Sequence, residues 1–362
     1  MKAVSILWIA YFHCFSFYDT GRYPWPLSLA RFPEYLSGCA PQTVMETVAA
    51  MLDGVFASIF QRGPQAVGVF LVLSGFSLTL GMLKSSAPPQ GWLLWYRRRL
   101  LRLFPLYWVA HLIYLVSPFI NRTEAIDYRF FLSLVGDRVW PVDRMFFYLN
   151  PSWWFFGLLL ELYLVYPLLY RLLQKRGPAV LLYICAVLTI CSRYLIFGVL
   201  EANGNFLMGA FFGCRLFEFA AGMALAVFFQ KKPFKVEKLL FSWPALAAGI
   251  IIYILGGMSY RPGFSLVFTD ALIGTGLFII VAQAARFFER ATIVGPLLPL
   301  VGIYSFGLYL LHHPYAMFFG ERLRGQPMIV FILCATGLIT LIAAFAMLVE
   351  RGVNTVTEKL LR

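Results

Sequence analysis

The sequence predicts an all-α fold, a polytopic membrane helix bundle of about ten transmembrane helices with both termini cytoplasmic. Three observations carry that prediction. Of the 362 residues, 60% are hydrophobic and only 13% charged, against roughly a quarter charged in a soluble domain. Apolar runs close to the length that spans a hydrocarbon core recur from end to end. The positive charge is also unevenly placed: with the N-terminus inside, 18 of the 30 Lys and Arg fall in inner segments with few acids beside them, while outer segments balance both signs. That is the positive-inside pattern. The formal charge of +13 therefore reads as topology, and nucleic acid is a poor partner for this chain. One integral-membrane domain over 1–362 is expected, with no appended soluble domain.

Spans are expected at 3–18, 64–83, 104–120, 153–171, 178–200, 206–229, 241–258, 264–285, 297–319 and 328–350. The first carries His13, eleven residues after Lys2. Eleven helical steps come to about three turns plus roughly 20°, so Lys2 and His13 share a face about 16 Å apart. A histidine within a membrane-length helix costs free energy unless it faces protein or a water-filled cavity, which makes it a site candidate. The following outer loop, 19–63, contains an apolar stretch at 44–60 with helical spacing, which reads as an interfacial cover or a lid. Leu36-Ser37-Gly38-Cys39 looks like a lipoprotein cleavage box, but it lies about 20 residues past the apolar run, so cleavage is not expected.

The second span holds Ser74 within a run of small residues that permits close helix packing. Before the third come Arg97, Arg98, Arg99 and Arg102, then Pro105, which is expected to open the helix. Arg99 and Arg102 are three apart and share a face. Paired guanidinium donors suit a polyphosphate, and the same charges also suit anionic lipid. The outer loop at 121–152 mixes Arg122, Glu124, Asp127, Arg129, Asp137, Arg138, Asp143 and Arg144 with aromatics, as a solvated loop or a sugar-facing surface. The fourth span opens at Trp153-Trp154 and carries Glu161. The fifth carries Arg193, and the sixth Arg215 and Glu218, an i, i+3 pair expected to neutralise itself. The seventh and eighth look plain apart from Arg261 and Asp270. In the ninth, Pro314 is expected to loosen the helix around His312 and His313. Rise per residue puts His13, Ser74, Glu161 and His312 in one polar slab. The six cysteines show no metal spacing and no disulfide framework, and no metal is expected.

Four stretches, in order, resemble the acyltransferase-3 family of multi-pass membrane O-acyltransferases: Lys2 with His13; Phe70-Leu71-Val72-Leu73-Ser74-Gly75-Phe76; Arg98-Arg99-Leu100-Leu101-Arg102-Leu103-Phe104-Pro105-Leu106-Tyr107-Trp108; and Tyr304-Ser305 through Leu308-Tyr309-Leu310-Leu311-His312. The basic residue is lysine where that family more often has arginine. The resemblance implies a bacterial inner-membrane enzyme that takes an acyl group, usually acetyl, from cytoplasmic acetyl-CoA or another acyl-CoA. The acceptor would be a hydroxyl of a glycan or lipid-linked glycan. In that reading Lys2, Arg98, Arg99 and Arg102 hold the donor's phosphates. His13 is the base or a transient acyl carrier, with Glu161 or His312 to orient it. Ser74, Trp153, Tyr304 and Tyr309 line the substrate path. Membrane lipids are the remaining partner. A proton-coupled transporter and a non-catalytic scaffold for glycan assembly are the rivals, separated by whether acetyl-CoA is consumed and whether His13→Ala matters.

Overall fold

The computed structural model describes residues 1–84, 91–121, 124–141, 144–201, 207–259, 264–292 and 294–361. Arg122, Asp143 and Arg261 lie outside them. The helices are α1 (Lys2–Tyr18), α2 (Phe32–Cys39), α3 (Val44–Gln61), α4 (Ala66–Lys84), α5 (Trp92–Val116), α6 (Tyr128–Leu134), α7 (Trp154–Tyr194), α8 (Leu207–Ala210), α9 (Leu216–Lys231), α10 (Pro233–Leu240), α11 (Trp243–Met258), α12 (Thr269–Glu289), α13 (Leu297–Ile303), α14 (Ser305–Arg322) and α15 (Met328–Leu361). Short 3-10 turns link several of them, and the described residues contain no strand.

Among the described residues six helical stretches are long and apolar enough to cross a membrane: Val44–Lys84, Trp92–Val116, Pro151–Val199, Phe212–Lys231, Ser265–Glu289 and Met328–Lys359. A seventh is reached if α10 and α11, bent by 62°, count as one broken span. The protein is thus a multi-pass membrane protein whose described regular structure is all helical. The stretch Pro151–Val199 takes in two of the spans expected from sequence. Within α7, Gly177 adopts φ 83 and ψ 172, a conformation open mainly to glycine, and Pro178 follows it. Two helices meet at that kink.

Other departures have local causes. Helix α5 begins at Trp92 rather than near Pro105, because Leu and Arg are good helix formers and this turn-by-turn preference continues past the apolar stretch. Pro105 therefore sits inside the helix. The ninth span breaks at Tyr304 into α13 and α14. Helix α3, the apolar stretch expected at 44–60, is opened by a capping box in which Thr43 and Glu46 satisfy each other's backbone N–H groups. The 121–152 segment holding α6 is not merely solvated. Arg138 is 1% exposed, donates to the Tyr107 hydroxyl, Ser133 Oγ and the Tyr148 carbonyl, and stacks over Trp153.

Helices α4 and α9 meet through glycine. A β-carbon on Gly75 would land on the Phe219 carbonyl, and one on Gly222 on the Val72 carbonyl. Backbone cannot yield as a flexible side chain would, so Gly75→Ala and Gly222→Ala should each destabilise by about 1–3 kcal/mol through overpacking. Thermal unfolding in detergent checks this. Gly81→Ala, where a β-carbon meets nothing within 4 Å, should raise the midpoint slightly, since alanine is favoured over glycine in a helix interior by about 0.5–1 kcal/mol.

Candidate active site

The packing of α1, α4, α5, α7, α12, α13, α14 and α15 leaves a cavity of about 1340 Å³. One end is basic. Lys2, Arg99 and Arg102 line it together with Glu350. Arg99 stacks its guanidinium 5.5 Å from the Trp95 ring, and Glu350 accepts the Gly307 N–H at 2.9 Å. Among the described residues neither Arg99 nor Arg102 forms an ion pair. Two neighbouring cations facing a cavity without a carboxylate partner form a ready anion site.

At the other end His13 faces the cavity beside His313, with ring centroids 4.4 Å apart. Neither imidazole has a hydrogen-bond partner among the described residues. Both rings are thus left available to a ligand. The framework around them is tight: Gly320 of α14 lies against the Cys14 carbonyl of α1, which fixes how deeply the two histidine-bearing helices approach. Between the ends, Tyr309 donates to the Ser152 carbonyl at 2.8 Å and accepts the Phe156 N–H at 2.9 Å. Its hydroxyl pins the start of α7 and is spoken for.

Helix register fixes the levels. Gly63, just before α4, packs on Phe12 and the Trp8 carbonyl, so α1 and α4 run antiparallel with Pro64 level with Phe12 and His13. Gly68 touches Gly274, and Val69 and Val72 cluster with Leu277 and Val281, so α4 and α12 run parallel. Asp270 is therefore level with Pro64, at the His13 end. Ser74 lies eleven residues beyond Gly63, roughly 16 Å toward Lys2. It lines the cavity but does not share the level of His13 as rise per residue alone had placed it.

The remaining candidates stand off the cavity wall. Glu161 accepts the Phe212 N–H at 2.9 Å and is not brought to His13. His312 sits behind His13, ring centroids 5.1 Å apart. Its Nδ1 faces the Leu308 and Tyr309 carbonyl oxygens and so carries the proton, while Nε2 is buried with no partner. Trp153 is buried and donates to the Leu310 carbonyl. Tyr304 accepts from Arg351 at 2.7 Å. Arg98 is exposed on α5, outside the lining.

Three lining groups were not singled out from sequence as site residues: His313, Arg193 and Asp270. The self-neutralising Arg215–Glu218 pair is half of a larger network. Asp270 Oδ2 binds Arg193 Nη1 and also Arg215 Nη1, the latter at 2.7 Å, and Arg215 Nη2 reaches Glu218 Oε1 at 3.2 Å. Arg193 also donates twice to the Leu266 carbonyl. The described residues contain no cluster of His, Cys, Asp and Glu suited to a metal ion.

A family model described as an acyltransferase domain, that of the acyltransferase-3 family, matches residues 1–348. No curated protein and no solved structure shows a significant match.

Proposed function

The chain belongs to the acyltransferase-3 family, and from that premise we propose that it transfers an acyl group, acetyl foremost, from acyl-CoA to a hydroxyl of a cell-surface glycan or glycolipid. The observation that carries this reading is the single cavity joining an unpaired arginine pair at one end to His13 and His313 at the other. Coenzyme A brings several phosphates on a long thioester-bearing arm. Phosphates bind Arg99 and Arg102, with Lys2 at the same mouth, and the arm runs past Ser74 and Tyr309 toward His13. In the transfer, the acceptor hydroxyl oxygen bonds to the thioester carbonyl carbon and gives its proton to a His13 ring nitrogen. The carbon–sulfur bond breaks, and the thiolate takes that proton as it leaves. A transient acyl-histidine is the variant, in which the ring nitrogen attacks first and the hydroxyl displaces it. His312 keeps a positioning role behind His13. Glu161, held by Phe212, has none in this scheme.

The topology belongs to the same reading. Ten spans with cytoplasmic termini, in a bacterial inner membrane, place the arginine mouth where acyl-CoA is made and His13 toward the far side. The kink at Gly177 supports counting α7 as two spans, and α1, with 17 mostly apolar residues, supports counting it as another.

Labelled acetyl-CoA given to membranes of cells making the wild-type chain should leave label on membrane glycan. Label that never reaches glycan overturns the proposal, and label-independent solute uptake would favour the transporter. Within this assay, Arg99→Ala and Arg102→Ala should each raise the acetyl-CoA KM about 10–100-fold, since a charge-assisted hydrogen bond contributes about 1.5–3 kcal/mol. Arg98→Ala, off the cavity, should change it far less.

A further inference from the structure

Asp270 offers the cavity a carboxylate oxygen that the protein does not use. Its Oδ2 takes both guanidinium groups, and among the described residues no hydrogen bond reaches Oδ1. The side chain is 30% exposed and lines the cavity. Its supports are fixed from behind. Arg193 is tied to the Leu266 carbonyl, and Arg215, side chain 7% exposed, is paired to Glu218, which is wholly buried. With Oδ2 engaged by both arginines, Oδ1 is the carboxylate oxygen left for a ligand.

We propose that Asp270 Oδ1, at the His13 end of the cavity, is an acceptor subsite that binds a hydroxyl of a sugar or similar polyol. The proposal rests on the acyl-transfer reading and names the part of it that recognises the acceptor. Three features select this chemistry. An ionised carboxylate only accepts hydrogen bonds, so its ligand must donate. A carboxylate facing the cavity repels a phosphate, so a neutral hydroxyl donor fits Oδ1 where an anion does not, in contrast with the unpaired Arg99 and Arg102. The same cavity is lined by Phe197, Trp154 and Phe146, and a cavity that is mostly apolar with a few fixed polar groups orients a ligand having both hydroxyls and apolar C–H faces. Because Asp270 is level with His13, a hydroxyl held on Oδ1 brings another hydroxyl of the same sugar toward the base. Donor and acceptor then enter from opposite ends and meet at His13.

The test uses the full-length chain in lipid nanodiscs, labelled acetyl-CoA, and a glycan extract of the host's membranes as acceptor. Asp270→Asn should raise the acceptor KM at least tenfold while the acetyl-CoA KM stays within twofold. Asp270→Glu keeps the charge for both arginines but moves the oxygens by one methylene, and it should raise the acceptor KM at least fivefold with CoA affinity as in wild type. An acceptor KM within twofold of wild type in Asp270→Glu, or equal changes in both KM values, overturns the subsite. If Asp270→Asn fails to fold, seen as lost CoA binding, Asp270→Glu decides alone. A wild-type chain that transfers no label fails the acyl-transfer reading itself, and the subsite with it.

Discussion

Replacing His13 with alanine should lower kcat for acyl transfer by about 10²–10⁴-fold, the usual contribution of a positioned general base, with the acetyl-CoA KM within about twofold. The split follows from the register of α1. Lys2 and His13 are separated by about 16 Å along one face, so donor phosphates held at the arginine end do not touch the imidazole, and truncating His13 removes chemistry without removing donor affinity. The size of the loss separates the two variants of the mechanism. A base is partly replaceable by a neighbouring group, and His313 stands 4.4 Å away, ring to ring, on the same cavity. A nucleophile is not replaceable, so an acyl-histidine route predicts that His13→Ala has no residual transfer at all and that labelled acetyl is trapped on wild-type protein in the absence of acceptor. His313→Ala should fall between His13→Ala and wild type. Single-turnover measurement of label on protein and on glycan reads both outcomes, and full activity in His13→Ala would sink the catalytic assignment.

The line between what the sequence shows and what it hides runs through particular residues. Helix existence was legible because hydropathy and the 3.6-residue period report on one segment at a time. Thus α1, α4, α11 and α12 lie close to where expected, α9 covers only the later part of the expected 206–229, α15 starts where expected but runs on to Leu361, and the break at Gly177 falls between two expected spans. Helix ends were less legible. Arg97 to Arg102 are helical but charged, so hydropathy stops short of them, and a break such as Tyr304 leaves the composition unchanged. In the site, the pairing of Lys2 with His13 and of Arg99 with Arg102 could be read from spacing alone, since each pair sits on one helix. His312 and His313 are neighbours, and successive helical residues point about 100° apart. Which of them faces the cavity is decided by how α14 packs on α1, a fact held in Gly320 and Cys14 rather than near the histidines. Asp270 was the hardest to see. Its partner Arg193 is 77 residues away in the chain, so the carboxylate looked like an isolated charge at a helix start.

Arg215→Met should be the most destabilising single change in the bundle, at about 3–5 kcal/mol, the cost of leaving buried charge uncompensated. Arg215 is the only residue that touches both acids of the described network: Asp270 at 2.7 Å and Glu218 at 3.2 Å. Without it Asp270 keeps Arg193, but Glu218, wholly buried and with neither carboxylate oxygen hydrogen-bonded, loses its ion-pair partner and keeps only the more distant charge of Arg193. The bland possibility, that each ion pair contributes independently, makes a different prediction for the double variant. Arg215→Met with Glu218→Met removes the orphaned carboxylate and leaves the neutral Arg193–Asp270 pair, so it should be markedly more stable than Arg215→Met alone, and the two changes should fail to add. Thermal unfolding of the three variants in one detergent measures the cycle. Additive losses, or a single-variant loss under about 1 kcal/mol, would mean the four charges do not act as a unit. If they do, the same rigidity that makes Arg215 costly to remove is what holds Asp270 Oδ1 still, and the double variant, folded but with Asp270 held on one side only, should bind acceptor less tightly while binding CoA as before.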